Sequence, residues 1–149
     1  MDVTIRRAVS QDLSELLSLY AELSIGDELP TPEVAAATWA QMLGSEMVSV
    51  LVAEQEGRVV SSCVLVVVPN LTRNQKPFAL IENVVTSATM RGRGLGKRVI
   101  RAAIDEAWAA GCYKVMLMTG RTDPAVLAFY EGCGFERGKT AFQIRRPAA

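Results

Sequence analysis

An apolar run at residues 78–85 leads into Arg91-Gly92-Arg93-Gly94-Leu95-Gly96-Lys97, and that loop leads in turn into a segment with helical periodicity. Three glycines and three cations set between a strand and a helix narrow the choices sharply. Glycine lets the backbone take positive φ and approach a ligand without a Cβ in the way. The first turn of a helix leaves amide N–H groups without intrahelical partners, and the positive end of the helix dipole adds to their attraction for an anion. The stretch is read as a phosphate cradle, with Arg91, Arg93 and Lys97 supplying fixed positive charge.

Spacing separates this loop from other glycine-rich loops. A Walker A loop needs four residues between its glycines and a hydroxyl after the lysine. Here three residues separate Gly92 from Gly96, and Arg98 stands in the hydroxyl position, so a nucleoside triphosphatase is set aside. The dinucleotide pattern Gly-x-Gly-x-x-Gly cannot start at Gly92 or at Gly94, which sets aside a Rossmann enzyme.

The totals bound the rest. With 149 residues, half of them apolar, the chain can bury a core of its own and is expected to form one domain over residues 1–149. Sixteen basic residues balance sixteen acidic ones, which favours a small-molecule partner over nucleic acid or an anionic membrane. Three cysteines, no Cys-x-x-Cys pair and no histidine leave neither a metal site nor histidine-based catalysis to expect. No leader opens the sequence and no apolar run approaches the length of a membrane span, so the expected location is the cytoplasm, with free thiols. A homodimer stays open.

Along the chain, residues 3–9 read as a strand, and Ser10 as the cap of a helix carrying Leu13, Leu16, Leu17, Tyr20 and Leu23 at three- and four-residue spacing. Thr31-Pro32-Glu33 starts a second helix running to about Leu43. Residues 47–54 and 59–68 form a hairpin around Glu56-Gly57. A polar loop precedes the strand at 78–85. The helix from Gly94 to Ala110 carries a core stripe of Val99, Ile100, Ala103, Ile104, Ala107 and Trp108, and Gly111 ends it. Then come a strand at 115–119, a helix at 124–131 and a terminal hairpin formed by 135–139 and 142–145. The order predicts an α+β, or mixed α/β, domain: a twisted mixed sheet of about six to seven strands flanked by about four helices.

The pattern Arg-x-x-Gly-x-Gly from Arg91 to Gly96 resembles the acetyl-CoA pyrophosphate loop of the GCN5-related N-acetyltransferase (GNAT) superfamily. Two further segments stand in that superfamily's order and spacing: the strand Ile81-Glu82-Asn83-Val84-Val85 and the run Ala125-Val126-Leu127-Ala128-Phe129-Tyr130-Glu131-Gly132-Cys133-Gly134-Phe135. The resemblance implies that acetyl-CoA is the cosubstrate. It also implies that Val84 and Val85 pair with the pantetheine arm, and that the backbone of Arg91, Gly92, Arg93, Gly94, Leu95, Gly96 and Lys97 holds the pyrophosphate. Asp123 stands where many relatives carry an asparagine near the sulfur end of the cofactor, which leaves that contact in doubt. The runs Gly111-Cys112-Tyr113-Lys114-Val115 and 129–135 are similar to those of the glucosamine-6-phosphate N-acetyltransferase branch.

Acetyl transfer to an amine poses two proton problems. An amine with pKa about 10.4 must lose a proton before it attacks, and the thiolate of CoA must gain one as it leaves. Glu82 interrupts an apolar strand, where Leu80 and Val84 would desolvate it, and is the candidate base. Tyr130 is the acid that the resemblance implies. The expected activity is transfer of acetyl from acetyl-CoA to the primary amine of a small molecule by direct attack. An amino-sugar phosphate and a protein amine remain open as acceptors. The alternative is a non-catalytic CoA-binding regulatory domain.

Overall fold

β-Branched residues at alternate positions build a five-stranded sheet from β1 (Thr4–Arg7), β2 (Val48–Gln55), β3 (Arg58–Val68), β4 (Phe78–Thr86) and β5 (Val115–Leu117), in the order β1-β2-β3-β4-β5. The first three pairings are antiparallel and β4/β5 is parallel, so the sheet is mixed. The computed structural model describes residues 2–148 and divides into two units, Met1–Leu117 and Met118–Ala149. The sheet lies wholly in the first.

The β2–β3 hairpin turns where expected. Glu56 and Gly57 take φ of 52° and 78°, the paired left-handed conformation that matches the twist of the strands it joins.

The helices α1 (Leu13–Leu23) and α2 (Pro32–Gly44) cover one face of the sheet. Leu16, Leu19 and Trp39 pack there against Val50, Val52, Val59, Val64 and Val85. Trp39 is buried and its indole N–H donates to the Ser10 carbonyl at 3.1 Å, so the ring packs without stranding its polar edge. Residues of the other parity, among them Leu51, Cys63, Leu65 and Ile81, are buried on the opposite face. There α4 (Leu95–Ala109) lays down Val99, Ile100, Ala103 and Ala107. A one-turn element, α3 (Thr72–Gln75), connects β3 to β4; Arg73, Asn74 and Gln75 within it all have positive φ.

In the second unit, Asp123 caps α5 (Pro124–Gly132) by accepting from the Ala125 amide at 2.9 Å. Gly134, at φ 101°, turns the chain after it.

Several expectations need correction. Among the described residues the sheet has five strands, not six or seven: residues 135–139 and 142–145 form no hairpin and β5 stops at Leu117. Ser10 does not cap α1: it opens a 3-10 turn, and Asp12 occupies the N-cap position. Trp108 is 52% exposed and leaves the core stripe. At 100° per residue it lies roughly 180° around the helix from Val99, while Val99, Ala103, Ala107 and Ile100 span the buried side.

Candidate active site

The end of β4 is where the sheet opens. β3 and β4 pair at Ser62↔Val85 and next at Val64↔Glu82, so β4 uses three steps where β3 uses two. The extra residue is a β-bulge, and Asn83 at φ 52° takes the left-handed conformation that the bend needs. Asparagine tolerates that region better than most residues with a side chain. On the other edge, β5 pairs with β4 only from Ala79 to Ile81 among the described residues. Beyond Ile81 the outer edge of β4 is therefore left without a strand partner.

Glu82 stands at this opening. Its partner Val64 belongs to the core beneath α1 and α2, and directly opposed residues of an antiparallel pair project to the same face. Glu82 thus projects to the α1/α2 side, where it is exposed. The burial expected for it beside Leu80 and Val84 is therefore not found. Val84 is half-buried and Val85 buried; the Val85 carbonyl accepts from the Ser61 hydroxyl at 3.0 Å.

The strand runs on into the cradle. Arg91 Nε donates to the Thr86 carbonyl at 3.2 Å, tying the loop back to the strand end. Gly92 and Gly94 have φ of 77° and 74°, and a Cβ built on either would meet open space. Both positions thus need glycine for conformation. Gly94 is the N-cap of α4 and no side chain caps this end, so its first-turn amides lack the usual protein acceptor. Leu95 and Gly96 are buried and anchor the turn, while Arg91, Arg93 and Lys97 are exposed around it. Arg93 and Arg98 also border a polar cavity of about 290 Å³ with Val3, Gln55, Met90 and Leu95. Arg98 donates there to the Val3 carbonyl at 2.9 Å.

Glu82, Val84, Val85 and the loop are thus consecutive parts of one strand–loop–helix passage. Asp123 and Tyr130 belong to the second unit. Asp123 spends one carboxylate oxygen on capping α5, a role the sequence analysis did not assign to it. Tyr130 is half-buried, packed edge-on against Phe129 at 5.1 Å and Phe135 at 6.4 Å between ring centres.

Two residues escaped the sequence analysis. Asn83 sets the bulge, and an asparagine inside an apolar strand was the signal for it. Tyr20 fell on the core stripe of α1 and was read as packing alone. Its hydroxyl is buried beside Ser62, and that burial raises its pKa against the lowering effect of the Ser62 hydroxyl.

A mixed sheet with a bulge in β4, which passes through a glycine-lined loop into an uncapped helix start, defines an α+β protein. The model of the acetyltransferase (GNAT) family matches residues 11–135. The probable glucosamine 6-phosphate N-acetyltransferase 2 of Oryza sativa subsp. japonica is 38% identical, over 91% of this chain and 84% of that one. A solved structure from Agrobacterium tumefaciens str. C58, inferred to be an acetyltransferase, is 50% identical with a TM-score of 0.93, over 96% and 99% of the two chains. Another, of a transcriptional regulator from Bacillus halodurans C-125, is 26% identical with a TM-score of 0.89, over 97% and 100%. The chain belongs to the acetyltransferase (GNAT) family. It is an N-acetyltransferase.

Proposed function

We propose that the chain transfers acetyl to a primary amine by direct attack of that amine, with β4 and the loop after it as the cosubstrate's seat. Acetyl-CoA supplies the acetyl group as a thioester, whose sulfur departs with the bonding pair. The outer edge of β4 at Val84 and Val85 offers backbone groups to an extended amide chain, in the manner of an added strand. The amides from Arg91 to Lys97 receive the pyrophosphate, with Arg91, Arg93 and Lys97 balancing its charge. Asp123 lies toward the sulfur end by resemblance, in a role additional to its cap.

Glu82 takes the proton that the amine must shed, directly or through one water. Its exposed position on the α1/α2 side lets an acceptor reach it from that side of the sheet. Tyr130 returns a proton to the departing sulfur, a role that rests on the family resemblance. A thiol pKa near 8.5 makes that sulfur a tolerable leaving group even unaided, so Tyr130 aids the step and Glu82 governs it.

The observation that carries this reading is the backbone of the loop: Gly92 and Gly94 at positive φ, ahead of a helix start that no side chain caps. A screen of primary amines for CoA release tests it, with acetyl-CoA as donor. Turnover with at least one amine, abolished by Gly94→Val, is expected; no release with any amine would leave a CoA-binding domain without transfer. The Bacillus neighbour named as a regulator favours that second reading, and the presence of both Glu82 and Tyr130 counts against it. The rice relative favours an amino-sugar phosphate as acceptor, so glucosamine 6-phosphate belongs in the screen.

A further inference from the structure

The polar cavity beside Arg93 and Arg98 lies over β1 and β2, and β3 separates those strands from β4. Thr4 pairs with Glu54, so Val3 and Gln55, which border the cavity, are the next opposed residues of the two strands. Gln55 follows Leu51 and Ala53 at alternate positions of β2, which turns its side chain to the face that α4 covers. It is 9% exposed, and its amide has no hydrogen-bond partner among the described residues. A primary amide brings two donors and an acceptor, and burying them unmet is costly, so a group of this kind calls for a partner.

The cations at the mouth are largely uncommitted. Arg93 has no ion pair among the described residues, and Arg98 spends one N–H donor on the Val3 carbonyl at 2.9 Å, which leaves four of a guanidinium's five. No carboxylate borders the cavity. Two guanidiniums without a counter-charge suit a dianion, and their planar fork matches the oxygens of a phosphate. A phosphate monoester is close to dianionic at pH 7, its second pKa being about 6. A monocarboxylate would leave one charge unbalanced. At about 290 Å³ the cavity is nearly twice the size of one that takes up benzene, roughly 150 Å³. It therefore has room for more than a bare phosphate, and Val3, Met90 and Leu95 give the remainder an apolar wall.

From these features we infer that the cavity over β1 and β2 is a second anion site, which binds the phosphate monoester of a small alcohol. The phosphate lies between Arg93 and Arg98, the Gln55 amide N–H donates to one of its oxygens, and the Gln55 carbonyl accepts from a hydroxyl of the alcohol. The inference goes beyond acetyl transfer and does not rest on it.

Glycerol 3-phosphate is the probe, titrated into the ¹⁵N-labelled free protein and, by calorimetry, into protein saturated with CoA. Saturable binding is expected in both, with movement of the Gln55 side-chain amide resonances; glycerol should move none of them. Gln55→Leu removes the amide and keeps an apolar side chain of similar reach. Affinity should fall about tenfold or more, the scale of one hydrogen bond to a charged group, while the free protein melts no lower than wild type. Arg98→Gln should weaken binding at least as much. Inorganic phosphate should bind more weakly, since it lacks the alcohol that meets the Gln55 carbonyl and the apolar wall. Affinity that both variants leave unchanged overturns the inference, as does the absence of saturable binding to the free protein. Equal affinity for inorganic phosphate overturns the assignment of a monoester. Complete displacement of glycerol 3-phosphate by CoA overturns the second site, because the phosphate would then occupy the seat proposed for the cosubstrate.

Discussion

Glu82 and Tyr130 are asked to solve opposite halves of one problem, and single substitutions separate them. Glu82→Gln keeps shape and removes the proton acceptor; kcat/KM should fall by roughly 10²-fold or more while CoA still binds. Tyr130→Phe keeps the ring against Phe129 and Phe135 and removes only the hydroxyl. Its defect should shrink with a thioester whose thiol leaves more easily, because a better leaving group needs less protonation. Glu82→Gln should show no such rescue. Steady-state rates with two donors of different thiol pKa decide the matter, and equal rescue of both variants would sink the assignment. Cys63 stands outside this chemistry: it is fully buried, and desolvation pushes its thiol up to about 12. Maleimide should label Cys63 only after denaturation, as read by peptide mass. Labelling of the native protein would mean that the sheet opens at β3.

At the scale of elements, the passage from β4 through the loop to α4 holds both what the residue order reveals and what it conceals. The loop's backbone was legible because it is local: a glycine at positive φ before a helix depends on its neighbours in sequence. Gly94→Val places a β-branched residue at φ 74°, at a cost of about 1–3 kcal/mol, and fills the space open to a ligand. CoA at about 100 times its dissociation constant should stabilise the wild type by roughly 2.7 kcal/mol, which for a chain of this size raises Tm by about 5–10 °C. The variant should melt lower and show no CoA shift in the same thermal scan; a shift equal to wild type would displace the phosphate site from this loop. The bulge at Asn83 and the parting of β4 from β5 were not legible, since both depend on which strand lies alongside. The same reason defeated the terminal hairpin. Phe142 and Ile144 alternate as strand residues do, yet they are 90% and 98% exposed, and no strand pairs with them among the described residues. Alternation announces a face that can be buried and does not supply the neighbour that buries it.

At the scale of the whole sheet-bearing unit, one ionic cluster joins segments that the sequence keeps far apart. Arg6 on β1 donates to both oxygens of Asp12 at 2.8 and 3.0 Å, and to Glu54 on β2 at 2.7 Å. Asp12, at the start of α1, also accepts from the Val9 amide at 2.7 Å and is 7% exposed. The Arg6 guanidinium is the main reason its carboxyl is held below the ordinary value of 3.8, with the Val9 amide adding to the effect against the opposing cost of burial. A depressed carboxyl binds its proton less readily in the folded protein than in the unfolded chain. The stability it contributes is therefore present above the ordinary carboxylate range and is lost as pH falls through the lower, folded value. Asp12→Asn removes the charge while keeping the shape. At pH 7 it should cost about 1–3 kcal/mol, the worth of hydrogen bonds to a charged group with little exposure. The deficit should persist down to about pH 4 and close below it, as the wild-type carboxyl takes up its own proton. Urea unfolding of both proteins across that range checks the sign. The absence of any deficit at pH 7 would mean that Arg6 and Glu54 hold β1 to β2 without Asp12, and that the start of α1 is fixed to the sheet by packing of residues such as Leu16 and Trp39.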